Sequence, residues 1–194
     1  MQEMRPVEFK DGVLWLEEVP GDYTEDCLEF SHKSTVILRD AQQYILIVQN
    51  EVAYFKDMNK SQLNEAKRTD SSSGVQFDLI FYEPTECNRD CKFDNGLPTV
   101  SFVIQVNSKK YQMSCSKAKT IEFLEMKTSE EDMVDGDQCN LVFYKRRINQ
   151  YSCFESALAQ NHYLCTVSEK GLFKLGLKEF ISQTDETIQI YVEV

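Results

Sequence analysis

Apolar and polar residues alternate with a period of two through most of this chain, the pattern of strands whose successive side chains point to opposite faces. Segments near 34–40, 44–49, 52–55, 75–82, 99–106, 109–114, 119–125, 139–146, 151–157, 162–167, 172–178 and 187–193 carry it, rich in β-branched and aromatic residues. The pattern predicts twelve strands and an all-β fold. Helical periodicity is confined to two short turns, at 60–67 (KSQLNEAK) and 177–183. Turn-forming runs separate the strands, notably TDSSSG (69–74), ECNRDCKFDNG (86–96) and SEEDMVDGD (129–137). LIFY at 79–82 returns as LVFY at 141–144 and more weakly as IQIY at 188–191, as if each string closed one of three units. Periodicity alone does not separate a closed barrel from a sandwich.

Upstream of the first strand the picture changes. Residues 1–26 hold Glu3, Glu8, Asp11, Glu17, Glu18, Asp22, Glu25 and Asp26 against Arg5 and Lys10, a net of −6 out of −11 for the whole chain. This divides the sequence into an acidic leader, 1–26, and one domain of ordinary size, 27–194, large enough to bury its own core. Within the leader, Phe9, Val13, Trp15 and Val19 give an amphipathic run with two readings: a disordered tail, or a strand that joins the domain or covers a binding surface. The acidic balance argues against nucleic acid or an anionic membrane as partner. Neither a signal peptide nor a span of about 18 apolar residues is present, so synthesis in the cytosol is expected.

Seven cysteines, an odd number, predict free thiols. Cys115, Cys139, Cys153 and Cys165 lie in apolar runs and are read as small buried hydrophobes. The Cys87-x3-Cys91 pair has no second ligand pair at metal spacing, and His32 and His162 are remote from it, so no metal or other cofactor is expected. Nucleophile elbows, phosphate-binding glycine loops and zinc-protease motifs are absent. The one close thiol–imidazole pair, Cys165 and His162, lies three apart on one strand and so on opposite faces, which removes the geometry a thiol hydrolase needs.

Residues 154–166, FESALAQNHYLCT, resemble the signature segment of the interleukin-1 cytokine family: Phe154, Glu155, Ser156 and Ala157 fit its first half, and Tyr163, Leu164, Cys165 and Thr166 its second. Gln160 stands where the family usually has Pro. VILRDAQQYILIV (36–48), YFKDM (54–58), KTIEFLEM (119–126), GLFKLGLKE (171–179) and the leader EFKDGVLWLEE (8–18) are similar to one branch of that family, leader included. The resemblance implies a β-trefoil of twelve strands in three pseudo-repeats behind a short propeptide, no enzymatic activity, and a monomeric pro-inflammatory ligand of a two-chain receptor. An intracellular β-trefoil binding module is the alternative, and the acidic leader is what separates the two, because a purely intracellular module needs no proteolytic activation.

The resemblance also implies site residues. An inflammatory caspase of the caspase-1 type cuts after Asp with a large hydrophobic residue three positions earlier, and Tyr23-Thr24-Glu25-Asp26 supplies both, making Cys27 the new N-terminus; Asp22 is a fallback. Asp132-Met133-Val134-Asp135, followed by Gly136, matches the preference of executioner caspases and marks Asp135 as an inactivating cut, with Asp70 a weaker candidate. Receptor contacts carried over residue by residue fall on Lys33, Asp57, Met58 and Lys119, Met58 as an exposed apolar loop residue. Lys60 and Gly171 stand where the branch has an acid, and Leu38 and Glu186 where it has Arg. A soluble decoy receptor is a further expected partner.

Overall fold

The structure is a computed structural model that describes the backbone of residues 4–10, 13–18, 26–68, 70–85, 96–126, 133–135 and 138–194, and the side chains of 28–68, 70–85, 96–126, 134 and 138–194. Its strands are β1 (Met4–Lys10), β2 (Val13–Glu18), β3 (Asp26–Arg39), β4 (Ile45–Gln49), β5 (Val52–Lys56), β6 (Ser73–Gly74), β7 (Gln76–Pro84), β8 (Thr99–Val106), β9 (Lys109–Cys115), β10 (Ile121–Glu125), β11 (Met133–Asp135), β12 (Phe143–Ile148), β13 (Tyr151–Ser156), β14 (His162–Glu169), β15 (Leu172–Glu179) and β16 (Tyr191–Glu193). One helix, α1 (Lys60–Ala66), and 3-10 turns at Cys139–Leu141 and Glu186–Ile188 complete the described elements.

Strand pairing closes a barrel. β3 pairs with β7, β7 with β8, β8 with β12 and β12 with β13. Ser152 of β13 then bridges to Ile190, and β16 returns to β3. Closure leaves these strands no free edge, the usual liability of a β-fold. Three hairpins, β4–β5, β9–β10 and β14–β15, stand on the barrel, with β15 pairing β5 and β10 packing on β15. This is a β-trefoil, and the twelve predicted segments overlap β3–β5, β7–β10 and β12–β16, while β1, β2, β6 and β11 are additional. The LIFY string falls on β7, while the LVFY and IQIY strings run into β12 and β16, the last strand of each unit, as the internal echo suggested.

Tight turns set the hairpin registers. Asn50-Glu51, Asn107-Ser108 and Lys170-Gly171 each hold both residues at positive φ, the primed turn whose twist matches paired strands. Inside the barrel Phe77, Phe102, Phe143 and Phe154 are fully buried. Phe102 meets Phe154 edge-on at 5.0 Å, Phe143 at 5.5 Å and Phe77 at 6.4 Å between ring centroids. Each buried ring contributes roughly 1.5–3 kcal/mol from area alone, and edge-to-face pairs add about 0.5–1.5 kcal/mol. Outside the barrel a second cluster joins Leu28, Ile80, Tyr82, Val103, Val134, Val142 and Tyr144, and a third seats α1 on Ile37, Ile45 and Ile47.

Local departures from expectation have physical causes. The helical turn expected at 177–183 is absent: β15 runs to Glu179, paired with β14 from Glu169↔Leu172 to His162↔Glu179, and a full ladder outweighs a short helical pattern. The helical character reappears downstream at Glu186–Ile188, where Asp185 accepts from the Thr187 N–H at 3.1 Å. The strand expected at 139–146 begins instead with a 3-10 turn, and the acidic loop at 129–137 contributes β11, which pairs with the start of β3. In the leader β1 and β2 form a separate antiparallel ladder.

Candidate receptor-binding site

The signature segment is built for support. Phe154 fills the barrel, while Ser156 is buried and its Oγ accepts from the Ala159 N–H at 3.1 Å. Glu155 is the hub: Oε1 accepts from the Asn161 N–H at 2.8 Å, and Oε2 from the Tyr163 hydroxyl at 2.9 Å and the Arg146 guanidinium at 3.0 Å. Burial alone would raise this carboxyl, but the three donors hold it below its ordinary range. Burial and the bond to Glu155 push the Tyr163 hydroxyl up to about 12. These contacts lock the 157–161 loop, with Gln160 exposed and its carbonyl taken by the His162 ring.

The sequence-derived contact residues occupy separate places. Lys33, exposed on β3, pairs with Asp78 at 3.3 Å, whose other oxygen accepts from Thr35 at 2.8 Å. Asp57 is exposed after β5, but Met58 is half-buried, packed with Tyr54 and Leu63 against the third cluster. The expected exposed loop residue is thus partly an anchor for α1, a flexible thioether packed on the cluster that also holds Leu63 and Ala66 of the helix. Lys119 sits at φ 60 in the turn before β10, and its Nζ lies 3.0 Å from His162 Nε2. An ammonium can only donate, so Nε2 accepts and the ring proton resides on Nδ1, facing the Gln160 carbonyl at 3.0 Å.

Two grooves were not read from the sequence. The first, about 550 Å³, is lined by Tyr44, Tyr54, Phe55, Asp57, Leu172 and Phe173. Leu172 is 54% and Phe173 39% exposed, a pairing of large apolar side chains that a solvated surface rarely retains without a partner. It brings Asp57 together with Gly171, whose φ of +81 suits glycine at a tight turn. The second, about 760 Å³, collects Lys145, Arg146 and Arg147 over Phe81 and Phe180. Lys145 Nζ lies 5.3 Å from the Phe81 ring, which also stacks on His32 at 4.4 Å; burial, with Arg147 nearby, lowers the lysine's pKa.

Leu38 is fully buried in the barrel, so position 38 offers no surface contact, and the cation at this strand end is Arg39, bound to Glu193 at 2.7 Å. Cys115, Cys153 and Cys165 are buried and Cys139 is half-buried. Burial pushes the Cys153 thiol up to about 11 and Cys165 to about 12, which makes both poor nucleophiles at neutral pH. Tyr23, Cys87, Cys91, Asp132 and Gly136 lie outside the described residues. Asp26 and Cys27 begin β3, and Asp135 ends β11. Asp70 is exposed, with its carboxylate held by two bonds from Arg68, at 3.1 and 2.9 Å.

A family model described as Interleukin-1 / 18 matches residues 67–188, more than half of the chain. The chain belongs to the interleukin-1 / 18 family. Among similar curated proteins, Interleukin-18 of Mus musculus is 27% identical over 183 residues, covering 93% of this chain and 86% of that protein. Interleukin-18 of Gallus gallus is 26% identical over 172 residues, covering 84% and 81%. The structure of chicken interleukin 1 beta superposes with a TM-score of 0.56 at 15% identity, over 86% of this chain and 99% of that one, which supports the trefoil assignment. Members of this family are signalling proteins and not enzymes.

Proposed function

We propose that this chain is the precursor of an interleukin-18-type cytokine from outside the mammals, and that an inflammatory caspase of the caspase-1 type activates it by cutting between Asp26 and Cys27. The mature domain, 27–194, leaves the cytoplasm without a signal peptide and binds as a monomer to an interleukin-18-type receptor pair, alpha and beta chains, whose signalling induces interferon-gamma. A soluble decoy binding protein competes for it, and a cut after Asp135 ends activity. The carrying observation is the apolar groove at Leu172 and Phe173, flanked by Asp57 and next in sequence to Met58, because an exposed aromatic and aliphatic pair in a concave site suits a partner's hot-spot side chain. Lys33 and Lys119 are the outlying charged contacts. With Lys60, Gly171 and Glu186 changing the charge at expected contact positions, mammalian receptors bind poorly, since mismatched charges at a desolvated contact cost orders of magnitude in affinity.

The test is digestion of the full chain with caspase-1, N-terminal sequencing of the product, and binding of each form to an interleukin-18 receptor ectodomain from a related species. A product starting at Cys27 that binds, beside a precursor that does not, is expected. A different start, or equal binding by both forms, defeats the reading.

A further inference from the structure

The two aspartates read as cleavage sites, far apart in sequence, meet in the fold. β11 pairs with the first residues of β3 in the register Met133↔Glu29, Val134↔Leu28 and Asp135↔Asp26, with a register shift before the last pair. Leu28 and Val134 are 0% and 2% exposed and share the second cluster, so this short ladder is anchored by buried side chains. β3 is the strand to which β11 is paired, and the partner of Asp135 is the residue on the leader's side of the scissile bond.

We propose that this pairing imposes an order on proteolysis: Asp135 is shielded while the leader is attached and becomes cleavable only after the Asp26–Cys27 bond is cut. Proteases of this kind engage a substrate as an extended strand through the residues preceding the scissile bond, so a segment already paired within the fold must first be pulled out. For Asp26 those residues are 23–25, which lie outside the described residues. For Asp135 they are 132–134, and Met133 and Val134 lie inside the ladder. Hydrolysis by the caspase then adds water across the amide, leaving a carboxylate on Asp26 and an ammonium on Cys27. Asp26 departs with the leader, Leu28 becomes the second residue of the chain, and terminal strands fray. β11 loses one partner outright and holds the other two less tightly.

The inference rests on the proposed cleavage sites for its biological meaning, but its physical content is tested without a protease. Hydrogen exchange at the amides of Met133–Asp135 is measured in the full chain carrying Asp26→Ala and in the chain beginning at Cys27. Exchange about tenfold faster in the shorter chain is expected, with β8 amides unchanged as the folding control. Equal rates overturn the latch. Leu28→Ala in the full chain removes the buried anchor and should accelerate the same amides with the leader still attached; if that variant is unfolded, the comparison of the two lengths decides. Caspase-3 should then cut after Asp135 about tenfold faster in the shorter chain. If exchange accelerates but neither form is cut there, the latch stands and Asp135 is not a cleavage site.

Discussion

Glu155 shows how one residue of the family signature acts. Its side chain is only 12% exposed, and it gathers a backbone N–H, a tyrosine hydroxyl and a guanidinium from three places in the chain. Glu155→Gln keeps the shape but sets an NH2 against a donor, and the loss of charge-assisted bonds costs about 2 kcal/mol. The sign of the pH effect follows from the depressed carboxyl. With a folded pKa below the unfolded one, the stabilisation is present above the ordinary carboxylate range and is lost as pH falls through the folded value. Urea midpoints should therefore fall less between pH 7 and pH 3 in the Gln variant than in the parent. Parallel curves would remove Glu155 from its place as the loop's electrostatic hub.

At the scale of elements, α1 owes its existence to its ends and to the surface beneath it. Asn59 Oδ1 accepts from the Gln62 N–H, and Gln62 Oε1 from the Asn59 N–H, each at 3.0 Å. Seven residues cannot hold a helix alone, so Asn59→Ala should cost about 1 kcal/mol, visible as a lower thermal midpoint, and loosen Met58 with the helix. The helix was legible in KSQLNEAK, as were the barrel strands, because each carries its own period; its cap at Asn59 was not read. β11 was not legible: MVD has no alternation of its own, and only the distant Leu28 makes it a strand. The groove was missed for a related reason. In LFKLGLK the period announces a strand, yet nothing in it says that Leu172 and Phe173 lie where no further unit covers them. Leu38 illustrates the converse, since matching a family contact position one at a time does not reveal that the side chain points into the barrel.

Across the whole molecule, closure of the barrel sets where a partner can bind. The pairing of β5 with β15, Phe55 opposite Phe173 and Tyr54 opposite Lys174, joins the first and third units, and the apolar groove lies at that seam. A site at a seam is held by two hairpins whose turns are fixed at positive φ, so it is preformed, and a preformed site spares the ordering cost of binding. The basic groove at Lys145–Arg147 lies on β12, across the barrel's ladder from the signature strand β13, and so offers a surface of opposite character. Leu172→Asp tests the apolar one most cleanly, because the residue is over half exposed and its loss should change folding stability by less than about 0.5 kcal/mol. Burying that carboxylate against a partner should weaken affinity for the cognate receptor by a hundredfold or more, about 2.7 kcal/mol, while Lys33→Glu, at an outlying charge, acts chiefly through association rate and salt dependence. Binding kinetics on a receptor-coated surface separate the two. If Leu172→Asp folds with the parent's midpoint and binds with unchanged affinity, the groove at the seam is not where the receptor docks.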